Sequence, residues 1–512
     1  MTQNVICILI TIVLYLIMMI IIGIKFSKQN NDVGDFYLGG RKLGPIVTAM
    51  SAEASDMSSY LLMGLPGLAY LTGIADVGWT VIGLAVGTYL NWLFVAKRLR
   101  IYSHKCGAIT IPDFFSRRYR DKSNVIMGIS ALIILIFFIP YTASGFSACG
   151  KLFNSLFGFD YHFAMILSAV IIISYTSIGG FLAASTTDLI QSIAMTAALI
   201  IIVLFGVNKA GGFDAVIENA KSLEGYFSMS SVHNYETGGS SPYDIITIIS
   251  TLAWGLGYFG MPHILLRFMA VEDCNKIKIS RRIASVWVVI SMAIAVFIGI
   301  IGNAMSANGS IAVLTNSADS EKVIMNMAML MSESGIVPAL VAGIIFAGIL
   351  ACTMSTSDSQ LLAASSSMSE NFIKGVFKVN LSEKQSMNIA RIVLLVIASV
   401  SIIIAWNPES SVFGIVSFAW AGFGATFGPV MLASLFWKRS NKYGAIAGMI
   451  SGGIMVFVWK FCIKTLGGIW NIYELLPAFI VSLFFILVVS LATGKPEKEI
   501  TDEFEAVRNT KE

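Results

Sequence analysis

The chain has 512 residues, of which 56% are hydrophobic and 12% charged, with a formal net charge of +4 and a mean hydropathy of +0.79. Soluble domains do not reach these values, so the chain is read as an integral membrane protein and the soluble classes are set aside.

Crossing a hydrocarbon core of about 30 Å takes roughly 20 apolar residues per helix. On that measure about thirteen spans are predicted, at residues 5–24, 44–73, 76–96, 124–150, 161–180, 187–207, 244–266, 283–305, 336–365, 388–405, 412–436, 444–463 and 475–493. The first has no Lys or Arg before it and is followed by Lys25 and Lys28, so it is expected to stay as a span with the N-terminus outside rather than to be a cleaved signal peptide.

The second span opens with SAEASDMSSYLLMGLPG, residues 51–67, which puts Glu53 and Asp56 three residues apart in an apolar setting. An ionised Asp near the membrane centre costs about 2.5–3.5 kcal/mol on insertion scales, so Asp56 needs compensation from a bound ion, a helix cap or a salt bridge. Glu53 shares its face one turn earlier, and three readings stay open for it: carrying a proton, pairing with Lys or Arg, or lying near the inner interface. After the third span, the basic run KRLRIYSHKCGAITIPDFFSRRYR, residues 97–120, falls on the inner face, where anionic lipid is the expected neighbour and nucleic acid is not.

The fourth span places Tyr141 directly after Pro140, a kink with a polar tip, and Asp188 opens the sixth. The polar segments 208–243 and 306–335 and the tail 494–512 are each too short for a separate soluble domain. The seventh span contains AWGLGYFGMP, residues 253–262, in which Trp254 and Tyr258 flank glycines four residues apart. Such a pair serves either core packing or ligand contact. The ninth ends in FAGILACTMSTSDSQLLAASSSMSENF, residues 346–372, where Cys352, Ser355, Thr356 and Ser359 share one helix face. Hydroxyls and carbonyls suit a hard cation, and small hydroxyl residues equally suit helix packing.

The second and seventh spans are the most heavily interrupted, and their starts are five spans apart. An odd repeat unit inserts upside down, so residues 44–207 and 244–436 are expected to form an inverted repeat, preceded by a first span and inner loop at 1–43 and followed by spans twelve and thirteen with a cytoplasmic tail at 437–512. This all-α, five-plus-five arrangement with discontinuous helices points to a secondary transporter with its site at the bilayer midplane. Of the 34 Lys and Arg residues, 28 fall on one side of this topology; only Lys151, Lys209, Lys221, Lys322, Lys460 and Lys464 fall on the other. The bias predicts a multi-pass cell-membrane protein with its C-terminus in the cytoplasm.

Six cysteines without paired spacing indicate neither a disulfide framework nor a zinc site. Four scattered histidines, with no H-E-x-x-H, G-x-S-x-G or P-loop pattern, speak against an enzyme, and no charged ring or filter loop suggests a channel.

The motifs ASDMSSYLLMGLPG, YTASG (141–145), WGLGYFGMPHILLRFM (254–269) and MSTSDSQLLAASSS (354–367) together resemble the proline branch of the sodium:solute symporter family, in family order and along essentially the whole chain. The resemblance implies the fold of the bacterial leucine transporter and sodium-coupled symport of L-proline by alternating access, the alternative being another small solute such as a different amino acid, a monocarboxylate or pantothenate. It implies sodium ligands from the carbonyls of Ala54, Met57 and Cys352 and the hydroxyls of Ser355 and Thr356, with Asp56 in support. It places Ser58, Tyr60, Tyr141, Trp254, Tyr258 and Pro262 at the substrate. Arg41 is assigned to sodium access from the cytoplasm, where anchoring the interface is the other reading. Asp188 is assigned to ion release or a second sodium, where capping a helix is the other. Sodium enters as a co-transported ligand; no cofactor and no obligate protein partner are implied. Three departures from the family pattern, Ser59 for glycine, Tyr60 for tryptophan and Glu53 for a small or uncharged residue, bear on substrate preference and ion coupling.

Overall fold

The computed structural model describes residues 2–408 and 412–510. Almost everything in it is helix, because a chain in hydrocarbon must satisfy its own backbone polar groups. The principal helices are α1 (Gln3–Ser27), α2 (Pro45–Ser59), α3 (Leu65–Thr72), α4 (Ile74–Lys105), α5 (Val125–Phe157), α6 (Tyr161–Lys209), α7 (Ile245–Leu252), α8 (Pro262–Ala270), α9 (Ile277–Ala307), α10 (Ile336–Ser366), α11 (Glu383–Ile404), α12 (Val412–Phe436), α13 (Lys442–Val458) and α14 (Leu475–Ala492).

Among the described residues, ten helices are long and apolar enough to cross a membrane, or eleven when the pair Ile245–Phe259 and Pro262–Ala270, bent by 45°, counts as one broken span. The backbone breaks within the second of the thirteen expected stretches and between the fifth and sixth. Residues 44–73 are divided into α2, a wide π turn at Tyr60–Gly64 and α3, and neither helix reaches spanning length. The stretches 161–180 and 187–207 lie on either side of a kink in α6, where Gly180 (φ 63°, ψ −159°) breaks the helix into two. Its backbone needs glycine twice over: for the positive φ, and because a Cβ would stand 2.8 Å from the Phe36 ring.

At the centre α10 packs against α1, α2, α5 and α6. Its serine-rich length is buried without a break from Ile345 to Ser367. Outward-facing positions such as Leu14, Ile21, Leu204 and Ile403 are exposed, as an apolar belt facing lipid requires. Glycines let α4 approach the segment that follows α7: a Cβ on Gly87 would collide with the backbone of Gly255, and one on Gly255 with that of Gly83.

Polar ends close the bundle. The segment after α6 forms a short helix, Phe213–Ser222, and an antiparallel hairpin pairing Ser231–His233 with Ser240–Pro242. The tail helix Lys498–Arg508 buries Ile500, Phe504 and Val507, and Glu499 and Glu503 pair with Arg120. Three arginines of the basic run at 97–120 have partners within the protein. Arg98 and Arg100 donate to the carbonyls of Leu435 and Val271, and Arg118 is buried among the rings of Tyr102, Tyr119 and Phe504. These cations bind the ends of helices together.

Candidate functional site

The helix α2 is interrupted where the sequence places its serines. Ser58 adopts φ 47°, ψ −167°, a region close to one essentially reserved for glycine and found where surrounding structure enforces it. The residue that occupies the family's glycine position, Ser59, is ordinary helical backbone at φ −58°, so losing that glycine costs the backbone nothing.

The break lies against α10. Ser355 Oγ donates to the Ala54 carbonyl at 2.8 Å and to the Cys352 carbonyl at 3.2 Å, and Thr356 Oγ1 donates to the Cys352 carbonyl at 3.3 Å. Cys352 Sγ also donates to the Ser58 carbonyl. Four of the five expected sodium ligands therefore meet in one buried cluster of oxygens between α2 and α10. The fifth, the Met57 carbonyl, accepts the Tyr60 N–H across the break. No His or Cys nitrogen or thiolate enters this set, and all-oxygen donors suit a hard cation.

Asp56 points the other way, toward the second interrupted helix. Its Oδ2 accepts from the Tyr258 hydroxyl at 2.5 Å, and Oδ1 is buried without a protein partner. Tyr258 sits on the 3₁₀ segment Ala253–Phe259, so one carboxylate ties together both discontinuities. Glu53 has no basic partner among the described residues and is 1% exposed, against the interface and ion-pair readings. Its Oε1 accepts from Trp92 Nε1 at 2.9 Å and Thr88 Oγ1 at 3.2 Å, both from α4. Glu53→Ala leaves those two buried donors unmatched, and stranding a buried polar group costs about 1–3 kcal/mol. The expected result is a clear fall in thermal midpoint for Glu53→Ala in detergent and a much smaller one for Glu53→Gln, which keeps an acceptor.

Beside the break is a small cavity of about 20 Å³ lined by Asp56, Met57, Ser58, Tyr60, Leu84, Tyr141, Trp254, Met292, Val416 and Trp420. That is room for about one water molecule, far below the roughly 300 to 1,000 Å³ of small-molecule sites, so in this conformation the walls are drawn together and a solute needs them to part. Of the expected substrate residues, Ser58, Tyr60, Tyr141 and Trp254 reach it. Tyr258 and Pro262 do not; Tyr258 serves Asp56, and Pro262 is the buried first residue of α8. Aromatic rings build one wall: Trp254 stacks on Tyr473 at 4.7 Å and on Tyr60 at 6.1 Å, and Phe413 lies 5.8 Å from both Trp254 and Tyr60. Phe413, Trp420 and Tyr473 were not anticipated, since each comes from a segment with no polar interruption to mark it.

Arg41 and Asp188 lie elsewhere. Arg41 commits its guanidinium to carbonyls at the ends of other elements, Met269 at 2.6 Å, Ala108 at 2.5 Å and Ser103 at 3.1 Å, and reaches neither the cavity nor the oxygen cluster. Asp188 is fully buried and accepts from Ser51 at 2.6 Å, Ser55 at 3.1 Å and Arg267 at 3.1 Å. Arg267 also escaped notice, although an arginine inside the apolar half-helix PHILLRFMA is a signal in its own right.

The family model described as the sodium:solute symporter family matches residues 36–452. The chain belongs to this family. Among the symporter's relatives, a Haemophilus influenzae protein named sodium/proline symporter is 43% identical over 502 residues, covering 97% of each chain. A Bacillus subtilis protein named high-affinity proline transporter PutP is 40% identical over 493 residues, covering 96% of this chain and 99% of its own. In structure the symporter is similar to a sodium-coupled sialic acid symporter captured substrate-bound and outward-open, with a TM-score of 0.77 at 18% identity over 96% of this chain and 99% of that one. It is also similar to the transporter MhsT in complex with L-phenylalanine, with a TM-score of 0.53 at 14% identity over 88% and 99% of the two chains. The symporter thus has the leucine-transporter-type fold and is a multi-pass membrane transporter, not an enzyme.

Proposed function

We propose that the chain couples sodium entry to uptake of L-proline by alternating access. The observation that carries this reading is the broken α2, whose bared carbonyl end meets the hydroxyl face of α10 while its other side opens on the aromatic-walled cavity. Carbonyls at the end of a half-helix carry partial negative charge and favour a cation; N–H groups at the start of the next favour a carboxylate. Sodium held by Ala54, Met57, Cys352, Ser355 and Thr356 fixes the break, and the fixed break completes a pocket in which Ser58, Tyr60, Tyr141 and Trp254 surround the solute. Each ligand stabilises the arrangement the other needs, which is what links the two fluxes. The names of the relatives support proline as the solute.

One charge moving through 100 mV is worth about 2.3 kcal/mol and a tenfold ratio about 1.4 kcal/mol, enough for one sodium to sustain a solute gradient of several hundredfold. The Lys and Arg bias supports an outside N-terminus and a cytoplasmic C-terminus, and the paired interruptions support an inverted repeat of 44–207 with 244–436. The deciding measurement is uptake of labelled proline into proteoliposomes with an imposed inward sodium gradient, against potassium and with unlabelled competitors. Saturable uptake that collapses without the gradient is expected; proline flux indifferent to sodium overturns the reading.

A second reading, symport of a more polar small solute, is favoured by one feature. The Tyr60 hydroxyl, which can both donate and accept where the family's tryptophan can only donate, is buried in the cavity wall without a protein partner. Competition by hydroxylated analogues stronger than by proline itself selects it. Under either reading Trp254→Ala removes the ring on which the aromatic wall stacks. Aromatic pairs contribute about 0.5–1.5 kcal/mol beyond area, so solute affinity is expected to fall about tenfold or more in equilibrium binding, with sodium affinity little changed.

A further inference from the structure

The half-helix α8 carries Arg267 into the interior, where it is 1% exposed. The transport scheme above makes no use of it. Its Nη2 lies 2.5 Å from Ser359 Oγ, 2.9 Å from Ser55 Oγ and 3.1 Å from Asp188 Oδ2, and its Nε donates to Ser51 Oγ at 3.0 Å. The acceptors come from α2, α6 and α10, three elements that converge on one nitrogen. Hydroxyls and a carboxylate gathered from several helices around one point are the donor set of a hard cation. Here the position is taken by a guanidinium, a permanently charged and weakly hydrated group.

The place adjoins the expected sodium ligands. Ser55 follows Ala54 directly, and Ser359 is one turn beyond Ser355 and Thr356 on the same buried face of α10. Two carboxyl groups face the guanidinium: Asp188, and behind Ser359 the Asp358 group, which accepts from Ser359 at 3.0 Å and Tyr175 at 2.9 Å. The remaining Nη1 is held by the His263 carbonyl at 2.9 Å, and the Phe181 ring lies 5.1 Å from the guanidinium carbon. The cation is thus fixed on every side and belongs to the protein.

We propose that Arg267 is a tethered cation filling the oxygen shell in which a second sodium ion would otherwise bind, so that the chain moves one sodium per solute. The inference rests on the sodium-coupled reading. A tethered charge satisfies Asp188 and clamps α8 to α2, α6 and α10 in every turnover, and it adds nothing to the ion flux because it is never released. Arg267 sets stoichiometry rather than touching the solute.

The test has three arms. In proteoliposomes, the voltage and sodium gradient at which net proline flux vanishes give the ions moved per solute. One is expected for the wild type; two overturns the inference while leaving symport intact, whereas no sodium-driven flux overturns the symport reading itself. Next, the thermal midpoints of the purified wild type, Arg267→Gln and Arg267→Lys are followed while sodium replaces potassium, without solute. Losing the guanidinium frees the shell, and binding to the folded state raises the midpoint. Arg267→Gln is therefore expected to gain a sodium-dependent increment larger than that of the wild type and of Arg267→Lys, which keep only the first site, with a transport Hill coefficient rising from about 1 toward 2. Finally, Arg267→Gln with Asp188→Asn removes the carboxylate as well, and the increment should return to that of the wild type. An Arg267→Gln midpoint no more sodium-sensitive than that of Arg267→Lys, or an excess over the wild type that persists in the double variant, overturns the assignment. Should Arg267→Gln not be recovered folded, the wild-type ratio decides alone.

Discussion

Asp56→Ala is expected to abolish sodium-dependent uptake, the largest single effect of any side chain at the site. Two losses coincide at this position. The negative charge disappears from beside the break in α2, and the Tyr258 hydroxyl, which donates to Asp56 Oδ2 at 2.5 Å, is left buried and unmatched. Hydrogen bonds to charged groups contribute about 1.5–3 kcal/mol, so the second loss alone lowers by about tenfold to a hundredfold the population in which the two broken helices are joined. Asp56→Asn separates the two: an amide oxygen still accepts from Tyr258, but the site loses its charge. Sodium-stimulated proline binding, measured in membranes at rising sodium, is expected to need far more sodium in Asp56→Asn and to be undetectable in Asp56→Ala. Half-maximal sodium unchanged in both variants would show that the carboxylate serves the fold alone.

How far the sequence discloses such a site follows from what membranes penalise. Asp56, Ser58, Ser355, Thr356 and the glycines around Trp254 are legible because polar side chains and helix breakers are costly in hydrocarbon, so their presence marks a purpose. Their helical spacing then predicts that Cys352, Ser355 and Thr356 act together; Cys352 and Ser355 bond to the α2 break, and Thr356 shares the Cys352 carbonyl with Ser355. Partners remote in sequence are a different matter. Nothing near Glu53 names Trp92, 39 residues on, and nothing near Asp188 names Arg267, 79 residues on. Tyr473 and Phe413 stack on the cavity-lining Trp254, and nothing in the sequence near Trp254 names them. Hydropathy windows count apolar length without seeing backbone geometry, so they mark the two stretches on either side of Gly180 but not the positive-φ kink that separates them. Arg41 illustrates the converse: its sequence position suggests an ion path, yet its donors are spent on the carbonyls of Met269, Ala108 and Ser103.

Ser355→Ala combined with Thr356→Ala is expected to raise the sodium concentration needed for half-maximal uptake by about a hundredfold while leaving solute affinity at saturating sodium within a few fold. The two hydroxyls lie within 2.8–3.3 Å of the Ala54 and Cys352 carbonyls, so each substitution deletes one oxygen from a cluster of four and leaves a small apolar methyl in its place. A partly dehydrated cation cannot recover those ligands from water at a site buried to 3% exposure or less. Neither hydroxyl lines the cavity, which is bounded on that side by Met57 and Ser58, so direct contact with the solute is not lost. Ser355→Thr and Thr356→Ser, which keep the oxygens, are expected to restore most of the sodium affinity and so to separate ligation from packing, since both alter side-chain volume as the alanines do. A double alanine variant that weakens solute binding and sodium dependence to the same extent would instead place these residues in the general packing of α10 against α2.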